Sequence, residues 1–179
     1  MSKQWMLVGT VVAGLAGGAT VLANYGPDIS RVEVGALAPD FSAVDLATGD
    51  SVSLRQRYRG SVTLVNIWAT WCVPCRVEMP AMERVYQSLA PRGFKIAAIS
   101  IDEGNPDDVR DFGKELGITF DLLQDRSTAV QQTYQTTGVP ESFLLNRDGI
   151  IVKRVIGAHD WGSEVNRKLI ERLLDEQRS

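Results

Sequence analysis

The chain has 179 residues, of which 44% are hydrophobic and 23% are charged, proportions that are ordinary for one globular domain with a short additional segment. Its formal net charge of −3 gives no indication that the protein binds nucleic acid. The sequence contains no internal repeat and no phosphate-binding glycine motif, so the usual signatures of repeat proteins and nucleotide-binding enzymes are absent.

The N-terminal segment is uncharged from Gln4 to Pro27, and the nineteen residues Trp5–Ala23 are almost all apolar or small. In a helix they would span ~28 Å, close to the ~30 Å hydrocarbon core of a bilayer. Lys3 precedes them, which favours a cytoplasmic N-terminus and export of the rest of the chain. We therefore predict a membrane anchor over residues 1–24. A cleaved signal peptide, with its cleavage site near Ala23, and a buried soluble helix are the alternatives.

A linker and a small hairpin are predicted next. Residues 25–37 carry a Gly-Pro pair and are predicted to link the anchor to a folded domain at 38–179. Phe41–Leu46 alternates as a strand does, and after a turn Ser51–Leu54 returns as its hairpin partner. Arg55–Gly60 is predicted to be a polar, basic connection.

The most informative stretch is Trp68-Ala-Thr-Trp-Cys-Val-Pro-Cys75, which contains the only two cysteines of the chain. It follows the near-continuous apolar run Val62–Trp68, typical of a buried central strand. It precedes a helical pattern over Arg76–Leu89, in which Pro80 is expected to introduce a kink. A strand that ends in Cys-x-x-Cys and opens a helix is typical of a dithiol redox site.

The start of a helix favours a reactive thiol. The first backbone N–H groups of a helix have no intrahelical partner, and the helix dipole places partial positive charge there. We therefore expect the pKa of Cys72 to be lowered, which makes it the nucleophile, and we expect Cys75 to be more buried and to act as the resolving thiol. Two alternatives are weaker. A zinc site could recruit only His159 as a further soft ligand, and a structural disulfide across so short a loop would stabilise little.

The remainder of the domain alternates strands with helices, which indicates an α/β domain with a mixed central sheet. A domain of about 150 residues buries ~70% of its unfolded surface, so it needs no disulfide to fold and the cysteines are free for chemistry. The predicted strands are Phe94–Ile101, Thr119–Leu123, Ser142–Leu145 and Ile150–Val155. The predicted helices are Pro106–Leu116 after the cap Asn105, Ser127–Tyr134, and Trp161–Glu176 with Val165, Leu169, Ile170, Leu173 and Leu174 as its inner face.

The cysteine motif, Pro80 and Gly138-Val139-Pro140 before a strand resemble thioredoxin. Residues 38–179 resemble more specifically the exported, membrane-anchored TlpA, ResA and DsbE-type thiol–disulfide oxidoreductases. The resemblance implies a thioredoxin-like fold, with a mixed central sheet flanked by helices, an N-terminal hairpin and a central insertion. Its specific marks are the Ala-Pro-Asp-Phe opening at 38–41, Glu78, the insertion Gly104–Asp125 and the run Val139-Pro-Glu-Ser-Phe-Leu144.

The resemblance also directs attention to Glu78. Thioredoxin carries a buried aspartate at the position occupied here by Asn66, whose amide cannot transfer protons. Glu78 lies three residues after Cys75 on the same helix face, so its carboxyl group can approach the Cys75 sulfur. We expect Glu78 to supply the catalytic acid or base, the alternative being a solvated surface glutamate.

By the same resemblance Pro140 is expected to be the cis-proline that faces the disulfide, leaving the Val139 backbone free to pair with an extended substrate. Glu141 beside it is expected to be a second acid or a specificity contact, and Trp71 is expected to shape the rim of the substrate-binding site. Trp68 is expected to belong to the core. His159, the only histidine, is expected to be a surface residue.

The function implied by the resemblance is reduction of protein disulfides on the periplasmic side of a bacterial inner membrane. The implied partners are oxidised proteins such as apocytochrome c, a DsbD- or CcdA-like membrane electron donor, and the membrane itself. No cofactor and no metal are needed, because the Cys72–Cys75 pair carries the electrons.

Three alternatives remain. The first is a dithiol oxidant, although Val-Pro rather than a histidine stands between the cysteines. The second is a peroxidase, although Asn66 stands where the peroxiredoxin motif requires proline, four positions before Thr70. The third is a membrane-tethered peptide-binding module without redox turnover.

Overall fold

The computed structural model describes residues 32–176, which contain seven strands and five α-helices. The strands are β1 Ser42–Asp45, β2 Ser51–Ser53, β3 Val62–Trp68, β4 Phe94–Ser100, β5 Asp121–Gln124, β6 Glu141–Leu145 and β7 Ile151–Ile156. The helices are α1 Leu54–Arg57, α2 Val73–Leu89, α3 Pro106–Glu115, α4 Ala129–Thr133 and α5 Glu164–Asp175, with a 3₁₀ turn at Ala90–Arg92. The strands form one mixed sheet in the order β2-β1-β5-β4-β3-β6-β7, which confirms the predicted α/β class.

Strand β3 lies inside the sheet, and all seven of its residues are buried. It pairs in parallel with β4 and antiparallel with β6. A parallel pair needs a crossover connection, and α2 provides it between β3 and β4. The carboxyl end of β3 therefore meets the amino end of β6, where Ile67 is opposite Glu141. This register places the start of α2 and the Val139–Pro140 segment at the same edge of the sheet.

The predicted insertion Gly104–Asp125 supplies α3 and β5. Helix α3 begins at the predicted cap Asn105, whose side chain accepts a hydrogen bond from the Asp107 N–H. Strand β5 pairs with β4 on one side and with the N-terminal hairpin strand β1 on the other, so the insertion joins the hairpin to the main sheet. The strand begins at Asp121, two residues later than predicted.

The N-terminal boundary of the packed domain lies before residue 38. Val32 is buried, and the Gly35 N–H donates to the Ile151 carbonyl at 2.8 Å. Leu37 forms an isolated antiparallel bridge with Ile150. Residues 32–37, which the sequence assigns to the linker, are thus hydrogen-bonded to the β7 end of the sheet.

Two local predictions were wrong. The connection Arg55–Gly60 is partly helical: α1 starts at Leu54, because the Ser53 hydroxyl accepts the Gln56 N–H and caps it. Val165 does not belong to the inner face of α5, because its side chain is 77% exposed. It lies five residues, or about 140° around the helix, from the buried Ile170. Helix α5 also begins at Glu164, three residues later than predicted.

Two further expectations concern the long helix and the membrane anchor. Pro80 lies inside α2, and the helix continues through it from Val73 to Leu89. The predicted anchor over residues 1–24 lies outside the described residues. Within the described part of the chain, no helix combines the length and the apolarity that crossing a membrane requires.

Candidate active site

Cys72 and Cys75 are joined by a disulfide at the start of α2. Cys72 is the N-cap residue of this helix, and its Sγ accepts a hydrogen bond from the Cys75 N–H at 3.2 Å. The two residues are 4% and 0% exposed, so burial alone hardly distinguishes them. The capping geometry distinguishes them, because a thiolate at Cys72 would accept hydrogen bonds from the free N–H groups at the start of the helix. The arrangement can therefore stabilise one of the two sulfurs as a nucleophile.

The two tryptophans before the cysteines differ in burial. Trp68 is fully buried, as predicted, and its ring packs against Phe112 with centroids 4.9 Å apart. Trp71, directly before Cys72, is 67% exposed, and Val73, between the two cysteines, is exposed as well. Exposed apolar side chains therefore adjoin a buried disulfide in the chain.

The Glu78 side chain is buried on α2, with 3% of its surface exposed. Its Oε1 accepts a hydrogen bond from Asn66 Nδ2 at 2.8 Å, and its Oε2 accepts one from the His159 N–H at 3.0 Å. Burial raises the pKa of Glu78 from 4.5 to about 7, and these two hydrogen bonds only partly offset that rise. Glu78 is thus not a solvated surface glutamate, and its carboxyl group can change protonation near neutral pH.

Asn66 connects three parts of the domain at this site. It lies on β3, and its Nδ2 donates to Glu78 on α2 and, at 2.9 Å, to the Ser142 hydroxyl on β6. All three residues are buried. The amide that replaces the acidic residue of thioredoxin therefore holds Glu78 in place.

The interpretation of His159 as a surface residue needs correction. Its ring is half-buried, and Nε2 lies 2.8 Å from Asn166 Nδ2 and 3.1 Å from Lys153 Nζ. Because both partners are donors, Nε2 accepts, and the ring fixes the loop whose backbone N–H reaches Glu78. The sequence carries no local signal for this contact, because the two residues are 81 positions apart.

Asp102 also supports the site, although no sequence motif singles it out. Its carboxylate accepts hydrogen bonds from the Thr70 N–H at 2.9 Å, the Thr70 hydroxyl at 2.6 Å and the Ser100 hydroxyl at 2.6 Å. The Ile101 N–H also donates to the Trp68 carbonyl. These contacts hold the loop before Cys72 against the end of β4. A polar residue directly after a buried strand was the available signal, because sites collect at the carboxyl ends of parallel strands.

The second wall of the site contains Val139, Pro140 and Glu141. The Val139–Pro140 peptide bond is cis, as expected, and the Pro140 carbonyl accepts the Gly157 N–H at 2.8 Å. Glu141 is fully buried, and its carboxylate pairs with Arg154 at 2.6 Å. The structure therefore places Glu141 inside the domain, behind Pro140, and not on the exposed rim. In residues 32–176, no cluster of three or more His, Cys, Asp or Glu side chains is arranged to hold a metal ion.

The sequence and the fold both resemble those of known proteins. The model of the AhpC/TSA family matches residues 34–154. The chain is 35% identical to "Thiol-disulfide oxidoreductase ResA" of Geobacillus thermodenitrificans over 161 residues, which cover 88% of this chain and 91% of that protein. It is 32% identical over 181 residues to "Thioredoxin-like protein YneN" of Bacillus subtilis, covering 98% and 99% of the two chains.

Solved structures give the same picture. The thioredoxin domain of a thiol-disulfide oxidoreductase from Bacteroides vulgatus superposes with a TM-score of 0.69 at 25% identity, covering 80% of this chain and 99% of that one. A thiol:disulfide interchange protein from a Bacteroides species superposes with a TM-score of 0.68 at 26% identity, covering 80% and 91%. The predicted thioredoxin-like fold is therefore confirmed.

The raised pKa of Glu78 predicts a specific dependence of stability on pH. A carboxyl group with a folded-state pKa of about 7 and an unfolded value near 4.5 favours the folded state below pH 4.5, and this stabilisation is lost as the pH rises through 7. Glu78→Gln removes the effect. The free energy of unfolding of this variant, relative to wild type, should therefore rise by about 2 to 3 kcal/mol between pH 5 and pH 8.

Urea unfolding of the oxidised proteins at several pH values measures this difference. The same substitution at the exposed Glu103 is the matched control and should leave the pH profile of wild type unchanged. Parallel profiles for Glu78→Gln and wild type would show that Glu78 is already ionised throughout this range.

Proposed function

The chain belongs to the AhpC/TSA family and is a thiol–disulfide oxidoreductase of the ResA and DsbE type, and from that premise we propose that it reduces protein disulfides by dithiol exchange through Cys72 and Cys75. One observation carries the proposal: Cys72 caps α2 with the Cys75 N–H directed at its sulfur. Glu78, a buried carboxyl group that titrates near neutral pH, lies one helical turn beyond Cys75.

The proposed reaction has two steps. The Cys72 thiolate attacks one sulfur of the substrate disulfide, forms a mixed disulfide, and releases the other substrate sulfur as a thiolate. The Cys75 thiol then loses its proton and attacks Cys72, which releases the second substrate thiolate and leaves the Cys72–Cys75 disulfide. Two electrons pass to the substrate, whose two thiolates take up protons.

Glu78 is proposed as the group that accepts the Cys75 proton in the second step. A general base works best when its pKa lies near the operating pH, and a pKa of about 7 meets that condition. Asn66 and the His159 N–H hold the carboxyl group in one orientation, so little reorganisation is needed. General bases of this kind typically contribute ~10²–10⁴-fold to a rate.

The proposed substrate-binding residues are Trp71, Val139, Pro140 and Glu141. Trp71 offers exposed apolar surface, and the Val139 backbone precedes the β6 strand, where an extended peptide can pair by strand addition. Glu141 acts from inside the domain, because its carboxylate is buried against Arg154.

The proposed substrates are disulfide-containing proteins, apocytochrome c among them, and the proposed source of electrons is a DsbD- or CcdA-like membrane protein. No cofactor is required, because the dithiol carries both electrons. We place the catalytic domain in the periplasm or extracytoplasmic space of a bacterium, held to the inner membrane by a single span within residues 1–24. A soluble periplasmic protein after signal cleavage is the alternative.

Two alternatives to reduction are distinguishable on chemical grounds. A dithiol oxidant requires a strongly stabilised Cys72 thiolate, which the Glu78 carboxylate disfavours whenever it is ionised. A peptide-binding module would use Trp71 and Val139 without needing Cys72. The experiments below separate these functions.

Trapping the intermediate tests the assignment of the two cysteines. Cys75→Ala should accumulate a mixed disulfide with a disulfide-bonded peptide through Cys72, because the resolving thiol is missing. Non-reducing electrophoresis and mass spectrometry detect the adduct. Cys72→Ala is the control and should form none. Equal trapping by both variants would remove the distinction between nucleophile and resolving thiol.

The reduction potential tests the direction of the reaction. We expect the Cys72–Cys75 pair to lie closer to thioredoxin, at about −270 mV, than to the strong oxidant DsbA, at about −120 mV. Equilibration with defined thiol–disulfide buffers, followed by counting of alkylated cysteines, gives the value. A potential close to that of DsbA would favour the dithiol oxidant.

Fractionation tests the anchor. The full-length chain produced in a bacterium should sediment with the membranes, resist carbonate extraction and keep its original N-terminus. The uncharged span between Gln4 and Pro27 is the reason for this expectation. A soluble protein whose mature N-terminus is Asn24 would instead establish export with cleavage.

A further inference from the structure

Arg154 lies on β7 and makes an unusual set of contacts. Its Nε donates to Glu141 Oε1 at 2.6 Å, and its Nη2 lies 2.6 Å from the same oxygen. Its Nη1 donates to the Val32 carbonyl at 2.8 Å, and Nη2 also donates to the Gln135 carbonyl at 3.0 Å. A single guanidinium therefore joins strand β6, the first described residue of the domain, and the loop between α4 and β6.

The loop residues 135–140, called the substrate loop below, are held at several points. Arg154 binds the carbonyl of Gln135, and Glu141 Oε2 accepts the Thr137 N–H at 3.3 Å. At the other end of the loop, the Gly157 N–H donates to the Pro140 carbonyl. The ion pair between Arg154 and Glu141 therefore controls the part of the loop that leads into Val139 and Pro140.

The position of this ion pair excludes a role as an ordinary surface salt bridge. The Glu141 side chain is fully buried and the Arg154 side chain is 24% exposed. The guanidinium also lies over the Phe143 ring, 5.3 Å from its centroid. A buried carboxylate is tolerated in a folded protein when it is paired with a cation and hydrogen-bonded. In this pair, Glu141 and Arg154 each also bind the backbone of the substrate loop.

We propose that Arg154 is the positioning residue for polypeptide substrates: through Glu141 and the Gln135 carbonyl it fixes the substrate loop so that the Val139 backbone is aligned with an extended chain that flanks the substrate disulfide. This inference rests on the proposed reduction of disulfides. The acceptors are reached by three separate nitrogens of the guanidinium fork, Nε, Nη1 and Nη2, whereas a lysine ammonium carries its three donors on one nitrogen, so lysine is not an equivalent residue.

The proposal separates two classes of substrate. A disulfide within a polypeptide needs both the Cys72 sulfur and the substrate loop, because its backbone pairs with Val139. A small disulfide such as bis(2-hydroxyethyl) disulfide has no backbone to pair, so it needs only Cys72. A displaced loop should therefore weaken the binding of the first class and leave the reaction of the second class unchanged.

The experiment uses the full-length chain, purified in detergent and reduced, in single-turnover reactions with two probes. One probe is a peptide that contains a disulfide flanked by extended residues, and the other is bis(2-hydroxyethyl) disulfide. For Arg154→Met we expect the half-saturating peptide concentration to rise roughly tenfold, as loss of a charge-assisted hydrogen bond implies. The limiting rate and the rate with the small disulfide should stay within about twofold of wild type.

Arg154→Lys keeps a positive charge beside Glu141 and protects the fold, so it decides the question if Arg154→Met does not fold. It should show the same selective loss, because an ammonium group cannot replace the fork. Arg147→Met is the matched control. Arg147 is also part-buried and donates to two carbonyls, those of Gly60 and Leu174, but it lies beyond the opposite end of β6.

The outcomes are distinct. A selective rise for the peptide in the Arg154 variants, absent in Arg147→Met, supports the proposal. Unchanged kinetics in both foldable variants, or an equal loss with both probes, would overturn it and leave Arg154 a structural residue. If wild type reduces neither probe, the proposed function itself fails.

Discussion

The site depends on how the Glu78 carboxyl group, one helical turn beyond Cys75, is kept inside the domain. Glu78 points inward from α2, and its two oxygens are occupied by Asn66 on β3 and by the backbone of His159. Asn66 is 12 residues from Glu78 and His159 is 81 residues from it, so the hydrogen bonds fix α2 against both the sheet and the loop before α5. The same burial raises the pKa of Glu78 to about 7, so its two protonation states differ little in free energy near neutral pH, which is what the proposed proton transfer needs.

The sequence predicted the features whose signals are local. The apolar run of β3, the cysteines that follow it and the Asn105 cap are all readable within a few residues, and the structure contains each of them. The contacts that complete the site are not local. His159 and Arg154 act on residues 81 and 122 positions away, and no periodicity in the sequence encodes such pairings. Val165 was assigned to the inner face of α5, although it lies about 140° around the helix from the buried Ile170 and is exposed.

The site contacts that the sequence does not predict are hydrogen bonds that involve backbone groups. Asp102 binds the Thr70 N–H before the cysteines, and Arg154 binds the Gln135 carbonyl before Val139. His159 provides a backbone N–H as the donor to Glu78. A backbone group can be contributed by any residue type, so sequence patterns carry little information about it. The roles of Asp102 and Arg154 can be recognised only in the folded structure, where the loops that they bind lie close to them.

Two buried glutamates at this edge have opposite electrostatic environments. Glu141 is paired with the Arg154 guanidinium at 2.6 Å, and its Oε2 accepts the Thr137 N–H of the substrate loop. Glu78 accepts hydrogen bonds but, among the contacts of residues 32–176, forms no ion pair. Burial therefore dominates its pKa, which is about 7, and the carboxyl group can gain or lose a proton near neutral pH. A general base must alternate between two charge states, and a pKa of about 7 allows Glu78 to do so near neutral pH. The arginine beside Glu141, and the lack of an ion pair at Glu78 among residues 32–176, support the proposed division of roles, in which Glu141 holds the substrate loop and Glu78 accepts the proton.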